Sequence, residues 1–260
     1  MSFRDETKNL IGNVFYSVLP HCNYENAIFV VAHMRSGTTA LANVLCSHPE
    51  ISGFGEAHIQ YQKESRLGNL VLSQIRKSSW RYDSKYLFDK ILHNRYDENT
   101  CEIFLRSKFV FLAREPVPAV LSIRNLFSKL GSKEYSTDEE ASIYYFKRLH
   151  HLAKFWQRVP ESNRFGLTHK ILLEEPENQL AKLSEFLQLN ESLRNEYKKN
   201  PSVQQGGVGD PLQASNYSKI VKHASKSSTI DQRKLEISKN SESQIISAYQ
   251  NYVGLVTANN

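Results

Sequence analysis

The chain has 260 residues, 40% of them hydrophobic and 11% aromatic, which allows one large domain or two small ones with a real core. Its formal net charge of +6 suits an anionic ligand, but the basic residues are scattered along the chain, so we expect no nucleic-acid partner. The three cysteines, Cys22, Cys46 and Cys101, lie far apart without metal-ligand spacing, which predicts reduced thiols and no metal site.

Residues 1–26 are predicted to form a peripheral N-terminal segment, with a helix and a polar lead-in to the first strand. The first six residues include charged side chains and lead into no long apolar run. We therefore expect neither a signal peptide nor a membrane span, and a soluble, cytoplasmic protein with no membrane partner.

The clearest signal in the sequence is a strand, a tight turn and a helix. Residues 27–32 are wholly apolar, which predicts a strand buried on both faces of a parallel sheet, and apolar residues recur at helical spacing from Ala40. The turn between them is polar and consists mainly of Arg35, Ser36, Gly37, Thr38 and Thr39. First-turn amides of a helix attract an anion, and glycine lets the ligand approach the backbone. The turn therefore predicts a cradle for a phosphate-like group.

The turn departs from the loop that binds nucleoside triphosphates. That loop needs a glycine five residues before the second glycine and a lysine directly after it, but this chain has Ala32 and Thr38 at those positions. Both anchors of the motif are absent. A kinase or NTPase on a related fold remains an alternative, as does a non-catalytic anion-binding protein.

A strand followed by Arg-Ser-Gly-Thr-Thr resembles the 5′-phosphosulfate loop of the sulfotransferases that use 3′-phosphoadenosine-5′-phosphosulfate (PAPS). The resemblance implies that residues 35–39 bind the 5′-phosphosulfate and that Arg35 also takes part in catalysis. It also implies an α/β fold of the P-loop-like type, in which one domain has a central, mostly parallel sheet flanked by helices.

The same family often places a glutamate and, two residues later, a histidine in the next part of the chain. Glu56 and His58 match this pattern, although Gly55 stands where a lysine is common, and the resemblance implies that Glu56 is the catalytic base. Residues 86–90 resemble the short strand whose final lysine lies near the sulfuryl group, which implies a catalytic Lys90. His93 lies one residue from the position of a catalytic histidine in some members, so Glu56, His58 and His93 remain alternatives for the base.

A second apolar strand is predicted at residues 109–113, with Arg114 at its carboxyl end, where open α/β sheets bind ligands. A helix follows from Pro116, and it places Ser122 where it can face the same anion as Arg114. This spacing resembles the 3′-phosphate site of the family. It implies that Arg35 and Arg114 lie in one crevice and bind opposite phosphates of the same nucleotide.

The C-terminal half is predicted to contain a helix at residues 138–159, a strand at 165–173 and a helix that continues to Leu189. His169 and the next residue replace a Tyr-Glu pair that often shapes the adenine pocket in the family. Residues 198–228 are rich in Gly, Ser, Lys and Asn, which predicts a loop. The resemblance implies that this loop closes over the 3′-phosphate, with Lys219 as the candidate contact.

The resemblance therefore implies in-line transfer of a sulfuryl group from PAPS, with adenosine 3′,5′-bisphosphate as the second product and without a metal. The acceptor is expected to offer a hydroxyl or an amine. A saccharide, another small molecule and a specialised metabolite all remain open as its class. Residues 59–85, which include Tyr61 and Trp80, are predicted to form a helical lid or an acceptor-binding region.

Overall fold

The structure is a computed structural model that describes residues 3–197, 218–221 and 234–257. Its centre is a five-stranded parallel sheet with the strand order β2-β3-β1-β4-β5. The strands are β1 (Ala27–Ala32), β2 (Ile51–Ser52), β3 (Tyr86–Ile91), β4 (Lys108–Ala113) and β5 (Arg164–Thr168). Because all strands are parallel, their carboxyl ends lie at one edge of the sheet.

The strand β1 is the centre of both the sheet and the core. Its six residues are buried, as the wholly apolar run predicts for a strand covered on both faces. Phe29 of β1 packs against Tyr61, Phe104 and Phe109, with ring centroids 4.6–5.7 Å apart. β1 pairs with β3 on one side and with β4 on the other, so it lies where the strand order reverses.

Helices cover both faces of the sheet. The described helices are α1 (Phe3–Val18), α2 (Thr38–Ser47), α3 (Arg66–Arg76), α4 (Asn94–Asp97), α5 (Pro116–Lys129), α6 (Asp138–Arg158), α7 (His169–Glu174), α8 (Pro176–Phe186) and α9 (Lys239–Thr257). Single turns of 3₁₀ helix lie at Tyr24–Asn26, Glu102–Arg106 and Glu161–Asn163. The architecture is the predicted α/β fold with a parallel sheet flanked by helices.

The predicted strand at residues 165–173 is wrong in its second half. β5 ends at Thr168, and α7 begins at His169. The Thr168 side chain accepts a hydrogen bond from the amide of Ile171, so it caps the new helix. The apolar residues that suggested a longer strand therefore belong to a short helix.

The N-terminal helix packs against the segment of residues 59–85, for which the sequence predicts a helical lid or an acceptor-binding region. α1 lies against α3, and the close approach of Gly12 and Gly68 leaves no room for a Cβ atom at Gly68. Tyr61 is buried in the core, whereas Trp80 is half-buried. Among the described residues, no helix is both long enough and apolar enough to span a membrane.

The predicted loop at residues 198–228 lies largely outside the described residues, which include only 218–221 of it. In this short stretch, Ile220 is paired with Asn195 through two hydrogen bonds. Lys219 is exposed, and its charge adds to the hydrogen bond from Asn195 that lowers the pKa of Glu177 at the start of α8.

Candidate active site

The turn after β1 has the backbone conformation that an anion-binding cradle requires. Arg35 and Gly37 have φ values of 65° and 93°, and Gly37 is the residue that precedes α2. The Ser36 hydroxyl donates to the carbonyl of His33 at 2.8 Å, which closes the turn. Thr38 and Thr39 begin α2, so their amides lack helical partners and can donate to a ligand.

Gly37 is also confined by a side chain from α7, the helix that follows β5. A Cβ atom at this position would lie 2.7 Å from Cδ2 of His169, the first residue of α7. A side chain at Gly37 is therefore excluded both by the left-handed backbone and by lack of space. Burial lowers the pKa of His169 to about 3, and the Arg114 charge adds to this effect, so its ring is neutral at pH 7.

His33 joins the ends of β1 and β4. Its Nε2 accepts the amide proton of Arg114 at 2.9 Å, so its Nδ1 carries the ring proton and donates to the carbonyl of Met34 at 2.7 Å. Burial lowers the pKa of His33 to about 3. The neutral ring therefore holds the start of the turn against the backbone of Arg114.

A contact between Arg35 and Ser122 joins the turn to α5. Arg35 Nε donates to Ser122 Oγ at 2.9 Å, although the two residues lie 87 positions apart in the sequence. Arg114 follows β4, the neighbour of β1, and its charge acts on both His33 and His169. The structure thus brings Arg35, Ser122 and Arg114 to the edge of the sheet where the strand order reverses, the position at which α/β sheets bind ligands.

A second group of candidate residues gathers at the end of β3. Glu56 Oε1 lies 3.3 Å from Lys90 Nζ, and Glu56 Oε2 lies 3.9 Å from His58 Nδ1. The side chain of Lys90 is 2% exposed, that of Glu56 13% and that of His58 45%. Glu56 therefore lies between the buried Lys90 side chain and the exposed His58 side chain.

His93 belongs to the same group but is more enclosed. Its ring contacts Tyr96 and Tyr144, with centroids 6.3 and 5.5 Å away. Burial lowers the pKa of His93 to about 4, while the nearby Glu56 charge opposes this shift. Its imidazole is thus neutral at pH 7.

Tyr144 connects the two groups, a role that no local pattern in the sequence indicates. The amide of Met34 donates to the Tyr144 hydroxyl at 2.8 Å, and that hydroxyl donates to the carbonyl of Leu92 at 2.7 Å. The turn after β1 is thereby tied to the end of β3. The two candidate groups consequently occupy neighbouring positions on one edge of the sheet.

Arg148 of α6 is a second connection that sequence analysis missed. It is 1% exposed and donates to the carbonyls of Ala32 and Ile91, the last residues of β1 and β3, at 2.9 Å each. Its two Nη atoms also pair with the buried Asp97 carboxylate at 2.8 Å. His151 lies 2.9 Å from the same carboxylate. This buried network fixes the strand ends on which the site is built.

Lys219 lies within the short described stretch 218–221, where the effect of its charge is described for Glu177 of α8. Its contact with the 3′-phosphate stays a prediction. Across the described residues, no group of three or more His, Cys, Asp or Glu side chains is arranged to hold a metal ion.

The fold and the site together define an α/β protein in which a polar turn with a left-handed glycine lies at the point where the strand order of a parallel sheet reverses. The model of the sulfotransferase family matches residues 27–104 and 65–192, which together span more than half of the chain. The chain therefore belongs to the sulfotransferase family. No match was found among curated proteins.

Solved structures agree with this fold. The sulfotransferase domain of the Synechococcus PCC 7002 olefin synthase has a TM-score of 0.57 at 17% identity, over 88% of this chain and 96% of that domain. The sulfotransferase domain from the curacin biosynthetic pathway has a TM-score of 0.51 at 16% identity, over 86% and 96%. A sulfotransferase from Alicyclobacillus acidocaldarius has a TM-score of 0.50 at 10% identity, over 89% and 94%. At these identities the likeness shows the shared fold alone.

Proposed function

We propose that the protein transfers a sulfuryl group from PAPS to a hydroxyl or an amine of an acceptor. The observation that carries this proposal is the 2.9 Å hydrogen bond between Arg35 and Ser122. It joins the turn that we assign to the 5′-phosphosulfate with the helix that we assign to the 3′-phosphate. A nucleotide with phosphates on both ribose positions needs two anion sites in one crevice, and this contact supports such an arrangement.

The residues at the edge of the sheet fit such a nucleotide. Gly37 has no side chain, so an anionic group can approach the amides of Thr38 and Thr39 at the start of α2. The guanidinium groups of Arg35 and Arg114 suit phosphate groups because each can donate two parallel, charge-assisted hydrogen bonds. We assign Arg35, Ser36, Gly37, Thr38 and Thr39 to the 5′ side. We assign Arg114 and Ser122 to the 3′ side, with Lys219 as a further candidate there.

When bound, PAPS supplies the sulfuryl group and a good leaving group, adenosine 3′,5′-bisphosphate. The task of the protein is to stabilise negative charge that develops on the leaving phosphate, for which fixed donors are more effective than water. Arg35, the amides of the turn and Lys90 are the donors that we assign to this task. Removal of one donor of this kind typically costs about 3 kcal/mol of barrier.

We assign the role of base to Glu56. Its carboxylate is partly exposed and can reach an acceptor hydroxyl or amine, while the buried Lys90 on its other side holds it in place. Base catalysis of this kind is worth about 10²–10⁴-fold in rate. His58 and His93 both lie near Glu56; His58 is exposed, and His93 is neutral at pH 7. Both are alternatives for the base, and substitution of each residue in turn can distinguish them. As acceptors we propose small molecules, with saccharides and specialised metabolites among them.

The direct test is incubation of the purified protein with PAPS and a panel of phenols, aliphatic alcohols, amines and saccharides. Mass spectrometry should detect one acceptor class that gains the mass of SO₃, together with release of adenosine 3′,5′-bisphosphate. A thermal-shift series with that bisphosphate and with ATP and magnesium is the companion measurement. Stabilisation by ATP and magnesium alone would favour a kinase or NTPase and refute the proposal.

A further inference from the structure

Asp89 is a buried carboxylate within an otherwise mostly apolar strand. It lies in β3 directly before Lys90 and is 1% exposed. Its Oδ1 accepts the amide protons of both Ala57 and Lys90 at 2.8 Å, and its Oδ2 accepts the hydroxyl proton of Tyr61 at 2.6 Å. One side chain therefore receives three hydrogen bonds, two of them from backbone amides on different segments.

These two amides belong to the segments that carry the candidate base and the candidate lysine. Ala57 follows Glu56 directly, so the hydrogen bond to its amide fixes the backbone beside the base. The Lys90 amide also lies 3.1 Å from the carbonyl of Gly55, on the other side of Glu56. The Glu56 loop is thus held on both sides against the end of β3.

The loop needs such support because its backbone is unusual. Gly55 has a φ of 146° and His58 a φ of 56°, so two of four consecutive residues are in conformations that most side chains avoid. A local displacement here would move the Glu56 carboxylate away from Lys90 Nζ, which is now 3.3 Å from it. Among the contacts described, Asp89 is the one side chain that accepts hydrogen bonds from backbone amides of both segments.

The burial of Asp89 is costly, which argues that the side chain serves more than packing. A carboxylate removed from water loses its hydration, and only hydrogen bonds can replace it. Burial, with a smaller contribution from the neighbouring Glu56 charge, outweighs the three hydrogen-bond donors and raises the pKa of Asp89 to about 7. A leucine at this position would fill similar volume without that cost, but it would leave the Ala57 amide without an acceptor and the Lys90 amide with the Gly55 carbonyl alone.

We propose that Asp89 is a positioning residue that sets the geometry between Glu56 and Lys90 through the hydrogen bonds its Oδ1 accepts. The role of this geometry in catalysis rests on the proposed function. The site requires an oxygen atom that accepts the hydrogen bonds from the Ala57 and Lys90 amides, and it does not require a negative charge at this position. An asparagine can keep that acceptor and donate from its amide nitrogen to the Tyr61 oxygen, whereas a leucine cannot.

The test compares Asp89→Asn with Asp89→Leu, and uses Tyr61→Phe as the control that removes only the donor to Oδ2. We expect Asp89→Asn and Tyr61→Phe to keep kcat within about threefold of wild type, because both retain the two amide hydrogen bonds. Asp89→Leu should lower kcat by about 10²-fold, the effect of a displacement near 1 Å, with unchanged affinity for adenosine 3′,5′-bisphosphate. An equal loss of kcat in the asparagine and leucine variants would overturn the proposal, as would a matching loss of nucleotide affinity in Asp89→Leu.

A measurement on the folded wild-type protein keeps the inference testable if Asp89→Leu does not fold. In a pH titration followed by ¹⁵N NMR, the amides of Ala57 and Lys90 should shift with one common midpoint, and this shift should disappear in Asp89→Asn. Amides that titrate independently would contradict the shared acceptor. This result does not depend on sulfuryl transfer. Absence of transfer would refute the proposed function, while the amide titration would still decide whether the two segments share Asp89.

Discussion

An alanine at Gly37 should disturb the turn in two separable ways. The backbone there has a φ of 93°, and a left-handed conformation costs an L-amino acid about 1–2 kcal/mol. The new Cβ atom would also lie 2.7 Å from His169 Cδ2, so one of the two groups must move. Overpacking of this kind costs about 1–3 kcal/mol. We therefore expect Gly37→Ala to lower the free energy of unfolding by about 2–5 kcal/mol.

Gly131 provides a matched control for the backbone contribution. It has a φ of 65°, but a Cβ atom built on it meets nothing within 4 Å. Gly131→Ala should therefore cost only the backbone part, about 1–2 kcal/mol. Replacement of His169 by alanine in the Gly37→Ala background should recover about 1–3 kcal/mol, which a double-mutant cycle in urea can measure.

The nucleotide-binding consequence is measured by titration calorimetry with adenosine 3′,5′-bisphosphate. A turn displaced by the Cβ atom should lose affinity by at least about tenfold, which corresponds to 1.4 kcal/mol. Gly131→Ala should bind the nucleotide as wild type does, because it lies at the end of α5 and away from the turn. Equal effects of the two alanines on both stability and affinity would refute the role assigned to the Gly37 turn.

Three further predictions concern the residues around β3. Glu56→Gln should lower kcat by about 10²–10⁴-fold at unchanged nucleotide affinity, and near-normal turnover would move the role of base to another residue. Tyr144→Phe should lower the free energy of unfolding by about 1–3 kcal/mol in urea, because Met34 and Leu92 lose their shared buried partner, and an unchanged value would contradict this. The pKa of Asp89 is raised from 3.8 to about 7, so the free energy of unfolding of wild type should fall relative to that of Asp89→Asn as the pH rises from about 4 to 7. Urea unfolding across this pH range measures the difference between the two proteins, and a constant difference would contradict the raised pKa.

The sequence predicted those parts of the fold that depend on local patterns. A wholly apolar run with the length of a strand predicted β1 at its observed bounds, and the helix predicted at residues 138–159 is α6 (Asp138–Arg158). The strand expected at 165–173 is too long because α7 contains the apolar run Ile171, Leu172 and Leu173. Periodicity cannot separate a buried strand from a short buried helix, and the hydrogen bond from the Ile171 amide to Thr168 decided the boundary.

The connections that hold the site together were beyond such patterns. Arg148 reaches the carbonyl of Ala32 across 116 residues, and Tyr144 reaches the amide of Met34 across 110. Within α6 both look like ordinary helical residues, since no local signal marks a long-range partner. Asp89 differs from these two residues because it has a local signal in the sequence. A carboxylate inside a mostly apolar strand is unusual and indicates a buried hydrogen-bond network.

The most direct measurement of the central claim is the affinity of wild type and Arg114→Ala for adenosine 3′,5′-bisphosphate and for adenosine 5′-monophosphate. Charge-assisted hydrogen bonds from Arg114 to a second phosphate are worth about 1.5–3 kcal/mol. We expect wild type to prefer the bisphosphate, and Arg114→Ala to lose about 10–100-fold of that affinity with little change for the monophosphate. Equal losses for the two nucleotides, or no preference in wild type, would contradict the claim that the ends of β1 and β4 bind the two phosphates of one nucleotide.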